Sequence, residues 1–186
     1  VFSTPIPIIS GPTVTCRYKT YQYTTSSLPG ATYFWEVTGG YIVGDPTITS
    51  VQVLWDSSAA PTISLTVTSS EGCDSTVTEI IDIRPTPTPD VTGPSTTCQN
   101  DLDLYYTYLS TTLPNLSYQW QVTGGQIIGA NNIDSVRIVW NSVGTGTISL
   151  RVATVDGCDS NIIFIVTILP APVPTFSGPT TGCHSK

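Results

Sequence analysis

Residues 33–40 read Tyr-Phe-Trp-Glu-Val-Thr-Gly-Gly, and residues 118–125 read Tyr-Gln-Trp-Gln-Val-Thr-Gly-Gly. In both stretches Tyr, Trp and Val alternate with residues that are mostly polar, which is typical of a β-strand with one buried face. The Gly-Gly pair that closes each stretch predicts a turn that needs positive φ angles. The two stretches therefore predict a core strand followed by a turn, and they predict it twice.

The repetition extends along the whole chain, which predicts tandem copies of one structural unit. The matching segments are Gly-Pro-x-x-x-Cys at 11–16, 93–98 and 178–183, Trp55 with Trp140, and Gly-Cys-Asp-Ser at 72–75 and 157–160. Equivalent tryptophans of the two copies, Trp35 with Trp120 and Trp55 with Trp140, lie 85 residues apart, whereas the first two Gly-Pro-x-x-x-Cys motifs lie 82 residues apart. The second copy is therefore expected to be longer, in a loop or hairpin around residues 100–109.

The two ends of the chain also enter the interpretation. The third Gly-Pro-x-x-x-Cys motif begins a copy that stops at residue 186, and the first residue is Val rather than Met. We therefore expect the chain to be a piece of a longer protein with more copies in series. Any secretion leader or membrane anchor is expected to lie outside it.

Each copy contains about seven short runs of alternating apolar and polar residues and has no helical period, which is typical of a β-sandwich. We predict an all-β protein made of two tandem immunoglobulin-like sandwiches with one disulfide each. The predicted domains are 1–86 and 87–171, and 172–186 forms a linker and the start of a third copy. Alternating prolines just before each Gly-Pro predict short, extended linkers.

Composition excludes several classes of partner. Six Lys and Arg against thirteen Asp and Glu give a net charge of −7. Nucleic acids and anionic membrane surfaces both require clustered positive charge, so neither is an expected partner. No stretch approaches about 18 consecutive apolar residues, so no membrane insertion is expected in this sequence.

Five cysteines occur at equivalent places in the copies. They are Cys16 and Cys73 in the first, Cys98 and Cys158 in the second, and Cys183 in the third. We predict pairing within each copy, as Cys16–Cys73 and Cys98–Cys158, which leaves Cys183 unpaired. A zinc site is the alternative, but the sequence has no Cys-x-x-Cys and a single histidine. Disulfides indicate an oxidising compartment, so we expect an extracellular or cell-surface location.

With these motifs in view, the copies resemble the polycystic-kidney-disease-like (PKD-like) domains of large surface and secreted proteins of Bacteroidota. The resemblance rests on Gly-Pro-x-x-x-Cys, Tyr-x-Trp-x-Val-x-Gly-Gly, Val-x-Val-x-Trp, Gly-Cys, and Gly-Thr-Ile-Ser-Leu at 146–150. It implies an immunoglobulin-like spacer, stalk or adhesive module, as in gliding-motility adhesins and secreted polysaccharide-degrading enzymes. The sequence departs from the usual Trp-x-Phe-Gly-Asp-Gly turn, since Trp35 and Trp120 are each followed by x-Val-Thr-Gly-Gly.

Candidate binding residues are aromatic or acidic. Tyr105, Tyr106 and Tyr108 cluster near the longer segment and are candidate carbohydrate contacts, because tyrosine rings stack on sugars. The four tryptophans lie on the apolar phase of their strands and are expected in the core. For calcium, which takes oxygen ligands, the candidates are Asp90, Asp101 and Asp103, although solvated loop carboxylates are the simpler interpretation.

The sequence predicts no enzymatic activity. The only histidine is His184, in the short third copy, and no pair of carboxylates in a cleft is evident. The predicted function is a non-catalytic extracellular stalk or spacer in a large cell-surface adhesin, whose partners are neighbouring repeats of the same chain.

Two alternatives remain open at this point. One is a carbohydrate-binding accessory module of a secreted polysaccharide-degrading enzyme, which contacts surface polysaccharide or glycans. An exposed aromatic row on one sheet would favour it. The other is a calcium-stiffened adhesion module, which carboxylates converging near residues 87–94 would favour.

Overall fold

A computed structural model of the chain describes residues 4–56, 59–101, 104–109, 113–175 and 177–178. Over these ranges the secondary structure consists of β-strands joined by turns and loops, with no helix. Accordingly, no helix among the described residues could cross a membrane. The predicted all-β class is confirmed.

The first repeat contains eight of the described strands. They are β1 (Val14–Cys16), β2 (Lys19–Thr24), β3 (Thr32–Thr38), β4 (Gly40–Val43), β5 (Ser50–Trp55), β6 (Thr62–Thr68), β7 (Asp74–Ile80) and β8 (Asp82–Arg84). One antiparallel sheet has the order β2-β5-β4 and another has the order β3-β6-β7. Strand β1 pairs in parallel with β8, so the first strand lies beside the end of the last.

The second repeat also contains eight of the described strands. They are β9 (Asp90–Thr92), β10 (Thr96–Cys98), β11 (Leu104–Leu109), β12 (Ser117–Thr123), β13 (Gly125–Ile128), β14 (Ser135–Trp140), β15 (Gly144–Ala153) and β16 (Asp159–Leu169). The two sheets have the orders β13-β14-β11-β9 and β10-β16-β15-β12. The repeat has eight strands instead of seven because its first strand is split, and its halves join different sheets.

The chain divides into two compact units. The first comprises the residues up to Thr88 and two short segments of the second repeat, of which 152–160 contains Cys158. The second comprises most of the residues from Pro89 onward. The predicted domain boundaries at 86/87 and 171/172 stay predictions.

The core of each repeat is built on a tryptophan and a tyrosine in edge-to-face contact. Trp35, Trp55, Trp120 and Trp140 are all at most 1% exposed, as the strand alternation predicted. The Tyr23 ring meets Trp55 at 6.1 Å between centroids, and the Tyr106 ring meets Trp140 at 6.2 Å. Such pairs stabilise a core beyond the area that they bury.

The same tyrosines explain the Gly-Pro of the repeated motif. Tyr23 Oη donates to the Pro12 carbonyl at 2.8 Å, and Tyr106 Oη donates to the Pro94 carbonyl at 2.9 Å. A Cβ on the preceding glycine, Gly11 in the first repeat, would lie 2.3 Å from the tyrosine ring. The motif is therefore a packing site for a buried tyrosine.

The three extra residues of the second repeat are divided between two places. Tyr23 and Tyr106 occupy equivalent positions, opposite Val51 and Val136. From the first cysteine to this tyrosine, the second repeat is one residue longer, and from the tyrosine to the first tryptophan it is two longer. The expectation of a single longer segment is therefore corrected.

The Gly-Gly turns are confirmed at their first glycine. Gly39 has φ 75° and Gly124 has φ 78°. The second glycine has another reason: a Cβ on Gly40 would lie 2.6 Å from the Leu54 carbonyl oxygen and 2.9 Å from the Trp55 ring. That position needs glycine because a tryptophan and a backbone carbonyl pack directly against it.

Candidate functional site

The structure contains one disulfide among the described residues, and it differs from the predicted pairing. Cys16 is bonded to Cys158, with a Cα–Cα distance of 5.5 Å. Cys73 and Cys98 are free. The predicted Cys16–Cys73 and Cys98–Cys158 bonds are therefore not formed, and Cys183 lies outside the described residues.

Strand geometry explains why pairing within a repeat fails. Cys16 pairs with Arg84, the last residue of β8, whereas Cys73 directly precedes β7, which starts at Asp74. Eleven residues of strand at about 3.3 Å each place the two cysteines about 35 Å apart. A disulfide needs Cα atoms within about 7 Å. The signal that sequence reasoning missed is the parallel pairing of the first strand with the end of the last.

The two bonded cysteines are held by different local structures. The Cys16 N–H donates to Tyr21 Oη at 2.9 Å, at the end of β1. Cys158 is 1% exposed and closes a turn in which the Thr154 N–H donates to the Cys158 carbonyl at 2.9 Å. Lys19 Nζ lies 3.7 Å from Asp159 Oδ1 beside the bond. All of these residues belong to the first compact unit.

The three candidate carbohydrate-contact tyrosines lie on two faces of β11. Tyr106 and Tyr108 are 0% and 6% exposed and form part of the core, while Tyr105 is 58% exposed. The structure therefore leaves only Tyr105 of the three accessible to a sugar. The Tyr108 ring packs on Tyr118 with centroids 5.2 Å apart.

Tyr105 borders a shallow cavity on the outer face of its sheet. It lies opposite Arg137, which in turn lies opposite Ile128. These three side chains and Ile133 help to line a cavity of about 240 Å³. An aromatic ring, a guanidinium and apolar side chains can together offer a sugar both stacking and hydrogen bonding.

Burial also sets the ionisation of the core phenols. It raises the pKa of Tyr23 to about 12, against a partly opposing hydrogen bond from Trp55. Burial likewise raises the pKa of Tyr106 and of Tyr118. All three tyrosines are neutral at physiological pH, and Tyr23 and Tyr106 donate hydrogen bonds to the Pro12 and Pro94 carbonyls.

With this geometry in place, comparison with known proteins identifies the repeat. A family profile for the PKD-like domain matches residues 3–83 and again residues 84–163. The chain belongs to the PKD-like domain family. A search of curated proteins finds no significant match.

Several solved structures are similar to the two PKD-like repeats. The fibronectin(III)-like modules of Clostridium thermocellum CbhA align over 92% of this chain and 100% of theirs, with 12% identity and a TM-score of 0.41. The insect immune protein hemolin aligns over 90% of this chain and 47% of its own, with 12% identity and a TM-score of 0.42. Murine CEACAM1b aligns over 87% and 100%, with 13% identity and a TM-score of 0.34. Likeness at this level says nothing about function.

Two of the candidate calcium ligands, Asp90 and Asp101, lie in the described part of the PKD-like repeats. Asp90 Oδ1 accepts a hydrogen bond from the Val91 N–H at 2.8 Å, and the Asp101 N–H donates to the Cys98 carbonyl at 3.3 Å. Asp103 lies outside the described residues. No group of three or more His, Cys, Asp or Glu side chains able to hold a metal occurs within the described ranges.

The exposed aromatic side chains are distributed over several sheets. Phe34 on β3, Tyr41 on β4 and Tyr105 on β11 are 49%, 62% and 58% exposed. Tyr18, which directly precedes β2 in the same sheet as β4, is 59% exposed. The outer face of β6 and β7 instead bears hydroxyl pairs, with Thr66 Oγ1 2.7 Å from Thr76 Oγ1. Within the described residues, the outer surfaces therefore carry scattered exposed aromatic side chains together with hydroxyl pairs.

Proposed function

We propose that these PKD-like repeats are a non-catalytic extracellular module that acts as a stalk or spacer in a large cell-surface adhesin. The observation that supports this most directly is the Cys16–Cys158 bond, which joins residues 142 apart in sequence. Tension applied at the two ends of the chain passes through this bond. It therefore bypasses residues 17–157, which include nearly all of both repeats.

The extracellular part of the proposal rests on the same bond, since disulfides persist in oxidising compartments. The partners are the neighbouring repeats of the same chain. The repeated motifs support a parent protein of the kind found on the surface of Bacteroidota, such as a gliding-motility adhesin.

The test is single-molecule extension with handles at the two ends of the chain. In the oxidised protein we expect unfolding to release only chain outside residues 17–157. Reduction should add the contour length of about 142 residues, roughly 470–510 Å at 3.3–3.6 Å per residue. Equal extension before and after reduction would contradict a stalk in which the Cys16–Cys158 disulfide carries the applied force.

Two matched variants sharpen the extension experiment. Cys16→Ser should behave without reductant as the reduced parent does, because its bond cannot form. Cys73→Ser should behave as the oxidised parent does, because Cys73 is free in the structure. The opposite pattern would show that the load follows a different bond.

The second candidate function is carbohydrate recognition, favoured by exposed Tyr105 beside Arg137 at the 240 Å³ cavity. The test is a binding screen against insoluble polysaccharides and a glycan panel, with calcium and with chelator. The matched variant is Tyr105→Gln, since the equivalent position in the first repeat is Gln22.

Each outcome of the binding screen decides something. Saturable binding lost in Tyr105→Gln would make the module a recognition domain. Binding lost only in chelator would support the calcium-stiffened alternative. Absence of binding under both conditions would leave the stalk as the function and place recognition elsewhere in the parent protein.

A further inference from the structure

We propose that Cys98 and Cys73 form disulfides with neighbouring repeats, each repeating the bond between Cys16 and Cys158. Cys98 would pair with the turn cysteine of a following repeat, and Cys73 with the first-strand cysteine of a preceding one. The inference rests on the geometry of the four described cysteines and is independent of whether the array acts as a stalk.

The turns around Cys73 and Cys158 are the same structure. In the bonded turn, the Thr154 N–H donates to the Cys158 carbonyl at 2.9 Å, and the Cys158 N–H donates to Thr154 Oγ1 at 3.2 Å. In the free turn, the Ser69 N–H donates to the Cys73 carbonyl at 2.8 Å, and the Cys73 N–H donates to Ser69 Oγ at 3.3 Å. Cys73 is therefore held in the same kind of turn, by the same two hydrogen bonds, as the bonded Cys158.

The strand ends that bear Cys16 and Cys98 also match. Cys16 lies opposite Arg84 in a parallel pair, and Cys98 lies opposite Leu169 in another. In each repeat the residue after the cysteine makes the same hydrogen bond to the facing strand. The Arg17 N–H donates to the Arg84 carbonyl at 2.9 Å, and the Gln99 N–H donates to the Leu169 carbonyl at 2.8 Å. Each of the two cysteines of the observed disulfide therefore has a free counterpart in the same local structure.

The two cysteines of one repeat are too far apart to form a disulfide with each other. Cys98 lies beside Leu169, the last residue of β16, and Cys158 just before the first residue of β16, which separates them by about 35 Å of strand. The same distance separates Cys16 from Cys73. Each cysteine can therefore form a disulfide only with a partner outside its own repeat.

Exposure agrees with this assignment. Cys158 is buried, whereas its counterpart Cys73 is half-buried; Cys16 is half-buried, whereas its counterpart Cys98 is exposed. In both comparisons the unbonded member is the more accessible one. Both free thiols are thus open to attack and to pairing.

The chemistry needs a thiol oxidant. The Cys98 thiolate attacks a disulfide such as glutathione disulfide, which gives a mixed disulfide and releases one glutathione thiolate. The partner cysteine's thiolate then attacks the Cys98 sulfur and releases the second glutathione thiolate. Two protein thiols are oxidised and one glutathione disulfide is reduced, so the electrons balance.

The consequence is a series of overlapping covalent loops. Cys98 lies within the segment closed by Cys16–Cys158, so the loop that it closes with a following repeat overlaps the first. Backbone between the first and last bonded cysteines is then always bridged by a disulfide. A single proteolytic cut at any such place leaves the array in one covalent piece.

The test is a chain of three repeats, made by joining residues 1–177 to a second copy of residues 93–177. It is refolded with glutathione disulfide, alkylated without reduction and mapped by peptide mass spectrometry. We expect peptides joined through Cys16–Cys158 and through Cys98 with the copied Cys158, and alkylation of Cys73 and of the copied Cys98. The control is the parent chain with Cys183→Ser, in which Cys98 should be alkylated.

A further variant keeps the result interpretable. Cys98→Ser in the three-repeat chain should leave the copied Cys158 alkylated while Cys16–Cys158 still forms, which shows that the protein has folded. Alkylated Cys98 in the unsubstituted three-repeat chain, or Cys98 joined to the Cys158 of its own repeat, would overturn the proposal. Either result would leave the stalk untouched, because the extension experiment depends only on Cys16–Cys158.

Discussion

The two repeats share a core but differ in how far one strand pair runs, and the difference lies at Pro61 and Gly146. These residues are equivalent, each six residues after the second core tryptophan. In the first repeat, the Ile81 N–H donates to the Pro61 carbonyl at 3.0 Å, and proline has no N–H to return the bond. The ladder therefore stops, β6 starts at Thr62, and the last strand is split into β7 and β8.

The second repeat keeps the N–H at this position. Strand β15 starts earlier, at Gly144, and β16 runs without interruption over Asp159–Leu169. The comparison teaches that one residue sets the length of the ladder while the buried aromatic core stays the same. Differences between repeats should therefore appear outside the buried aromatic core, and a substitution in either repeat can be matched with one in the other.

The largest expected effect separates the bonded from the unbonded cysteines. Cys16→Ser opens a loop of 142 residues, and the chain-entropy description gives a loss of up to about 5 kcal/mol in the free energy of unfolding. Cys73→Ser and Cys98→Ser should change it by less than about 0.5 kcal/mol. Denaturant unfolding without reductant measures all three. An equal loss in Cys16→Ser and Cys73→Ser would instead support pairing within the repeat.

The next effect tests the Pro61–Gly146 comparison directly. A Cβ on Gly146 would lie 2.2 Å from Trp140 Cζ3 and 2.9 Å from Ile168 Cδ1. Overpacking of this kind costs about 1–3 kcal/mol, so Gly146→Ala should lower the denaturation midpoint of the second repeat. Pro61→Ala is the matched control, because a Cβ is already accommodated there, and it should cost under about 1 kcal/mol. Similar losses of stability in both variants would contradict the idea that Trp140 packs too closely on Gly146 to admit a Cβ.

A third effect appears only in alkali. An unfolded tyrosine ionises near pH 10, whereas burial raises the pKa of Tyr23 to about 12. Between these values the unfolded chain loses the proton and the folded chain keeps it. Stability is therefore fully present below about pH 10 and falls as pH rises, by about 1.4 kcal/mol at pH 11.

Tyr23→Phe isolates that contribution. The variant lacks the hydrogen bond to Pro12 at every pH, so the quantity to compare is the change in unfolding free energy between about pH 9 and about pH 11. The parent should lose about 1.4 kcal/mol more than the variant over this range. Tyr106→Phe should shift the pH dependence in the same direction, since burial also raises the pKa of Tyr106. A parent and variant with the same pH dependence would contradict the assignment.

Alternation in the sequence was enough to predict the core but not the connections. Val51, Val53 and Trp55 share a face because a strand has a period of two, and all three are buried. The cysteines follow no such rule, because equivalent positions in two repeats are equally compatible with pairing inside one repeat or across both. Only the parallel pairing of β1 with β8 separates Cys16 from Cys73.

The tyrosines show the same limit on a smaller scale. Alternation places Tyr106 and Tyr108 on one face of a strand and Tyr105 on the other, but it does not state which face is buried. The information lies elsewhere in the chain, because the Pro94 carbonyl accepts from Tyr106 and so fixes the inner face. The sequence can therefore predict which strand carries the candidate ligand-binding residues. The packing contacts of that strand then determine which of its two faces is exposed to a ligand.

The smallest effect concerns the outer face, where the repeats also differ. Thr66 and Thr76 lie opposite each other on neighbouring strands, with their hydroxyl oxygens 2.7 Å apart. The equivalent positions in the second repeat are Arg151 and Asn161. A double-mutant cycle with Thr66→Ala and Thr76→Ala should give a coupling energy of about 0.2–1 kcal/mol, the usual range for a cross-strand pair.

The matched cycle in the second repeat uses Arg151→Ala and Asn161→Ala, which removes the side chains at the same two places. A larger coupling in the first repeat would show that the hydroxyl pair itself stabilises the sheet. Equal couplings would instead show that the hydroxyl pair stabilises the sheet no more than the side-chain pair at the equivalent positions of the second repeat does. Because the core tryptophans are buried in both, any difference between the two cycles must arise on the outer face, where PKD-like repeats can vary without disturbing the fold.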